Sequence, residues 1–287
     1  MTPPRSSADR HEGPERRALH QLQHDHPEIA EAVTLELELL ETVRRVQGRV
    51  PLPRLTADAV ALAEHAQSGQ PVFGFTDVPL EWTDVRLTLR QCTDILARHE
   101  VIADDAQDYC LNLAREAEGL PAVVASWFAE SAAPSARSWL HAPAVPRPDG
   151  ADQVLLLALR PYLGRCADWW TAVGGDLRWP HRHCPSCGGE PDLGALATDG
   201  GRALCCGRCT TRWRAADDGC PYCGVQDPTQ HTTFTTPDGR YGLTACDVCQ
   251  RYLKWFDERR GGRALMPRLD AVATLGLDAA AVRRGYC

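Results

Sequence analysis

Residues 202–224 read RALCCGRCTTRWRAADDGCPYCG, and how their five cysteines are divided decides the fold of the carboxyl-terminal half. Cys206 and Cys209 form one C-x2-C pair, Cys220 and Cys223 another, and Cys205 stands beside the first. Two more pairs lie outside this stretch, Cys184/Cys187 and Cys246/Cys249, with 18, 10 and 22 residues between successive pairs. A C-x2-C turn offers two thiolates from one tight bend, and two such turns complete a tetrahedral centre with metal–sulfur distances of about 2.3 Å. Proline after the first cysteine and glycine after the second, as in CPSCGG and CPYCGV, suit that bend. Four such turns within 66 residues point to metal rather than to disulfides or free thiols.

The pairing follows from an internal repeat. CPSCGG is followed by LGALATDGGRALCCGRC and then Trp213; CPYCGV is followed by HTTFTTPDGRYGLTACDVC and then Tyr252 and Trp255. Each unit predicts a turn, a short strand, an Asp-Gly hairpin (Asp199-Gly200, Asp238-Gly239), a second strand and a closing C-x2-C. That is the design of a zinc-ribbon or rubredoxin-like module. It assigns Cys184, Cys187, Cys206 and Cys209 to one metal and Cys220, Cys223, Cys246 and Cys249 to a second. Pairing the two middle turns would leave the hairpins unexplained; spacing alone leaves an interleaved pairing open. Aligning ALCCGRC with LTACDVC sets Cys205 on Ala245, so Cys205 is predicted to point away from Cys206 as a small packing residue. His181 and His183 precede Cys184 and are candidate substitute ligands, though four sulfurs per centre leave them no role. Centres closed by four thiolates are structural or electron-transferring, and both iron and zinc fit them. The chain has no glycine-rich phosphate loop, no G-x-S-x-G and no H-E-x-x-H, so no catalytic residue is assigned.

Upstream the character is helical. Ile29, Val33, Leu37, Leu40 and Val43 share one face, as do Trp82, Val85, Leu89, Cys92 and Leu96. LTADAVALAEHAQSG (residues 55–69) reads as a helix capped by Thr56 and stopped before Gly69, and QVLLLALRPYLGRCADWW (153–170) as a largely buried helix interrupted or ended near Pro161. Cys92, Cys110 and Cys166, with Trp127, Trp139, Trp169 and Trp170, read as core residues. The expected organisation is α+β. A polar, flexible tail (1–27, with His20, His24 and His26) precedes an all-α bundle (28–173). Two tandem ribbons follow (174–214 and 215–265), then a short carboxyl-terminal helix (266–287).

Composition narrows the class. The chain has 287 residues, 44% hydrophobic and 24% charged, enough for a sizeable core. Its net charge of −7 is confined to the first 170 residues, and the ribbon half is near neutral. A polyanion-binding role is therefore disfavoured. No apolar run is long enough to cross a bilayer, and the amino terminus lacks a secretory h-region. A cytoplasmic location, where thiols stay reduced, is the expectation.

CPSCGGEP, RALCCGRCTTRWRAADDGCPYCG, ACDVCQRYLKWFD and LDAVATLGLDAAAVRRGY, in that order over roughly the last hundred residues, resemble the formate dehydrogenase accessory protein (FdhE) family. Thr210 stands where such ribbons often carry glycine, and the acidic character before ATLGLD is reduced to Asp270. The resemblance implies a cytoplasmic maturation factor. It would bind the catalytic subunit of a molybdenum- or tungsten-containing formate dehydrogenase and hold two rubredoxin-type centres. Arg212, Trp213, Arg214, Tyr252, Lys254 and Trp255, which follow the metal turns, are the candidate partner-binding residues. The competing readings are a nucleic-acid-binding ribbon protein and an iron-based redox carrier.

Overall fold

A computed structural model describes residues 13–116, 118–131, 146–174 and 177–287; Trp139 lies outside them. Helices fill the first part: α1 (Pro14–Asp25), α2 (Ala30–Gln47), α3 (Ala59–Ser68), α4 (Trp82–Arg98), α5 (Asp104–Arg115), α6 (Gly119–Ser131) and α7 (Ala151–Val173). Six strands follow: β1 (Pro191–Leu196), β2 (Arg202–Cys206), β3 (Arg212–Arg214), β4 (His231–Thr235), β5 (Tyr241–Cys246) and β6 (Tyr252–Asp257). Then come α8 (Glu258–Gly261), α9 (Pro267–Ala273) and α10 (Leu275–Val282).

Four local expectations are corrected. Residues 14–25 form a helix where a flexible tail was expected, because Leu19 is fully buried against Val33 and Leu40 of α2 and Leu269 and Val272 of α9. The cap of α3 is Asp58, whose carboxylate accepts from the Val60 and Ala61 N–H groups at 3.0 and 2.9 Å, and not Thr56. A carboxylate at the N-cap satisfies two orphan donors and favours the positive end of the helix. Helix α7 passes through Pro161 without ending. It buries fourteen residues, including Tyr162, Trp169 and Trp170, enough apolar area to outweigh the about 3 kcal/mol that an interior proline costs. The carboxyl-terminal segment is two helices rather than one, divided at Thr274, whose hydroxyl turns back to the Asp270 carbonyl at 2.6 Å.

The strands make one sheet in the order β3-β2-β1-β6-β5-β4. Each repeat contributes three antiparallel strands, and the repeats join where β1 runs parallel to β6, from Leu193 opposite Lys254 to Leu196 opposite Asp257. The internal repeat is kept in the register: Cys205 pairs with Arg212 as Ala245 pairs with Tyr252. The two ribbons are therefore fused edge to edge.

The main core is shared between helices and the first ribbon. Trp179, Leu204 and Trp213 pack in one cluster with Phe73, Leu89, Leu120, Trp127 and Trp169. Cys92, Cys110 and Cys166 lie in it fully buried, and burial pushes the Cys92 and Cys110 thiols up to about 12, as suits inert packing residues. Helix α10 covers the second ribbon, with Ala281 against Leu243 and Ala245.

Candidate metal centres

Each C-x2-C turn closes the same way. The N–H four residues after the first cysteine donates back to that cysteine's carbonyl: Gly188 to Cys184 at 3.0 Å, Thr210 to Cys206 at 3.0 Å, Gly224 to Cys220 at 2.9 Å and Gln250 to Cys246 at 2.9 Å. Every one of these four closing residues is left-handed, with φ between 59° and 82°. Glycine adopts that region freely, and the proline-led turns carry Gly188 and Gly224 there. The two turns that leave β2 and β5 carry Thr210 and Gln250 instead, held in place by the ladder bonds Cys206 N–H to Thr211 O at 2.9 Å and Cys246 N–H to Arg251 O at 2.8 Å.

The turns meet pairwise as the repeat predicts. Cys184, Cys187, Cys206 and Cys209 gather their sulfurs within 4.8 Å of one another, and so do Cys220, Cys223, Cys246 and Cys249. The interleaved pairing is thereby excluded. Sulfur–sulfur separations are 3.5 Å for Cys184–Cys209, 3.6 Å for Cys187–Cys206, 3.7 Å for Cys220–Cys249 and 3.6 Å for Cys223–Cys246. A tetrahedron with metal–sulfur bonds of about 2.3 Å has edges of about 3.8 Å, whereas a disulfide needs about 2.05 Å. The donor sets fit a four-coordinate zinc or iron ion.

The two centres have unlike surroundings. All four cysteines of the first are buried, whereas Cys223 and Cys249 of the second are partly exposed. In the first, burial pushes the Cys184 and Cys206 thiols well up, while hydrogen bonds from Cys184 and its neighbours hold Cys187 low. Four thiolates in such a sealed place are stable only around a cation. Thr211, buried on the ribbon side, puts its hydroxyl 3.1 Å from the Cys209 sulfur. The second centre is braced by Tyr222, whose hydroxyl donates to the carbonyls of Pro191 and Tyr252 at 3.2 and 3.1 Å. The Arg251 guanidinium lies 3.7 Å from the Tyr222 ring centre and forks onto Glu190 at 3.0 and 2.7 Å, tying the second ribbon to the first.

The histidines before Cys184 have other partners. His181 Nε2 bonds the Ala66 carbonyl at 2.8 Å and His183 Nε2 the Gly69 carbonyl at 2.7 Å, so both cap the end of α3. The next stretch of chain adds backbone bonds to the same turn, Val72 N–H to Pro185 O and Phe73 N–H to Ser186 O at 2.8 and 2.9 Å. Cys205 faces away from the metal cysteines, buried, with its thiol 3.6 Å from the Thr210 carbonyl. Cys287 is an exposed free thiol.

The six candidate partner-binding residues all lie on the third strands, β3 and β6, which the repeat did not foretell. Trp213 and Lys254 are buried; Lys254 pairs with Asp278 at 2.6 Å, and the Tyr252 hydroxyl reaches the same carboxylate at 2.8 Å. Arg212 forks onto Glu258 at 2.5 and 2.9 Å, Arg214 meets Asp199, and the Trp255 indole donates to Thr244 at 3.2 Å. One residue at the first centre was missed from sequence: Arg208, between Cys206 and Cys209, is buried beside the cysteines. Its signal was a break in the repeat, CGRC against CDVC.

No protein-family model matches the chain, and no curated protein matches it in sequence. Among solved structures the fold is similar to the crystal structure of the FdhE protein from Pseudomonas aeruginosa. That match has a TM-score of 0.62 and 21% identity over 95% of this chain and 91% of that one. The likeness is one of fold, and it covers the helices as well as the ribbons. No helix among the described residues is long and apolar enough to cross a membrane.

Proposed function

We propose that this chain is a cytoplasmic accessory protein that binds the catalytic subunit of a molybdenum- or tungsten-containing formate dehydrogenase during its maturation. The observation that carries the reading is a pair of four-cysteine centres set in a scaffold with the fold of an FdhE protein over 95% of the chain. With four sulfurs on each ion, neither centre offers formate a coordination position, so the ions hold the ribbons in shape rather than turn over substrate. The ribbons bury little apolar area of their own, and metal binding supplies the folding energy they lack. Client contact is assigned to the exposed and partly exposed side chains of the third strands, Arg212, Arg214, Tyr252 and Trp255, with Trp213 and Lys254 supporting them from within.

The test is a pull-down from host extract with the intact protein, Cys184→Ala and Cys246→Ala, alongside a deletion strain. The expected result is recovery of a formate dehydrogenase catalytic subunit by the intact protein, weaker recovery by both variants and reduced formate oxidation in the deletion strain. Recovery of nucleic acid without that subunit, together with normal formate oxidation after deletion, would put the nucleic-acid-binding ribbon in its place.

A further inference from the structure

Arg208 is 5% exposed and sits between two cysteines of the first centre. Its backbone N–H donates to the Cys206 sulfur at 3.4 Å, and its Nη1 donates to the Cys187 carbonyl at 3.4 Å. The guanidinium lies 4.1 Å from the Phe128 ring centre and 4.9 Å from that of Trp127, both on α6. Its Nε and Nη2 are buried without a hydrogen-bond partner, and among the described residues no carboxylate pairs with it. A guanidinium taken out of water is strongly destabilising unless an opposite charge answers it.

The neighbouring cysteines pose the opposite problem. A divalent ion held by four thiolates carries about two net negative charges, and here all four cysteines are buried. The buried cation and the buried anionic centre are each unfavourable alone and compensate each other together. The second centre lacks this device. The position matching Arg208 is Val248, 56% exposed, and water reaches Cys223 and Cys249. Of the arginines near that centre, Arg182 pairs with Asp217 at 3.3 Å and Arg251 with Glu190 at 2.7 Å, while Arg202 donates to the Gly219 carbonyl at 2.9 Å rather than lying between two of the cysteines.

We propose that Arg208 is the counter-charge of the first metal centre. It makes that centre retain its ion and ties α6 to it, leaving the second centre as the exchangeable one. The inference rests on both cysteine groups holding a metal, so metal content of the wild type is measured first; fewer than two ions per chain sinks that premise separately.

The experiment follows release of zinc from the zinc-loaded full-length protein to a chromogenic chelator. Wild type should release zinc in two phases, the fast one from the second centre. Arg208→Met should accelerate the slow phase by about ten- to hundredfold, the usual cost of losing an outer partner of a metal site, and leave the fast phase alone. Arg208→Lys, which keeps the charge, should recover most of the loss. If Arg208→Met does not fold, Val248→Arg decides: it should slow the fast phase relative to Val248→Met. An unchanged slow phase in Arg208→Met, equal acceleration in Arg208→Lys, or a fast phase indifferent to Val248→Arg would overturn the assignment.

Discussion

Thr210 and Gln250 close their turns at φ of 63° and 59°, where their counterparts Gly188 and Gly224 are at no disadvantage. Thr210 is the more strained, because a β-branched side chain rarely enters the left-handed region. Thr210→Gly should relieve about 1–3 kcal/mol of strain, part of it offset by the about 0.5–1 kcal/mol of extra chain entropy glycine loses on folding. The expected outcome is a Tm raised by about 2 °C in the metal-loaded protein; a lower Tm would show that the threonine side chain contributes more than its backbone costs. The adjacent cysteines separate by direction alone. Cys206→Ala should lose one metal per chain, whereas Cys205→Ala should keep both, since the hydrogen bond of its thiol among the described residues goes to the Thr210 carbonyl and Ala245 fills the matching slot. Metal analysis of the two variants is the check, and equal loss would contradict the repeat.

Helix α9 shows what an element can do beyond its own length. Its Asp270 is fully buried and fully bonded: it accepts from the Tyr241 hydroxyl at 2.8 Å, the Met266 N–H at 2.7 Å and the Arg263 guanidinium. The lone acid of this segment thus joins α9 to β5, while Leu269 and Val272 reach α1 and α2. Asp270→Ala should cost about 2–4 kcal/mol, because it strands Arg263, Tyr241 and a backbone donor at once. Equilibrium unfolding of metal-loaded protein measures it, with Tyr241→Phe, which removes one bond, expected to cost about 1 kcal/mol. A loss for Asp270→Ala no greater than that for Tyr241→Phe would mean the network is not cooperative.

At the scale of the whole molecule, the helical bundle and the first of the two ribbons share one core. The cysteines of the first centre belong to the same core as Trp127, Trp169 and Leu89, while those of the second stand outside it. Two tandem ribbons would be expected to unfold on chelation and leave the helices intact. The shared core predicts a different order. Mild chelation should empty the second centre with little change in helical circular dichroism, and loss of the first ion should coincide with a cooperative loss of helix. Simultaneous recording of metal release and ellipticity tests this, and helices that persist after both ions have left would return the molecule to independent parts.

The grouping of the eight cysteines into two sets of four was legible in the chain because its chemistry is local: a C-x2-C turn needs only its own few residues, and a repeat with Asp-Gly hairpins tells which turns meet. Most helices were legible for the same reason, since apolar spacing in α2 and α4 records one buried face. What depends on distant residues was not. Pro161 reads as a break until the burial around α7 outweighs it, and residues 14–25 read as a solvated tail until α9 covers Leu19. The parallel join of β1 to β6, the inward turn of Lys254 and the burial of Arg208 arise from contacts across the chain. Local sequence set the two centres, but only tertiary packing decided that one is sealed beside a cation and the other left open to water.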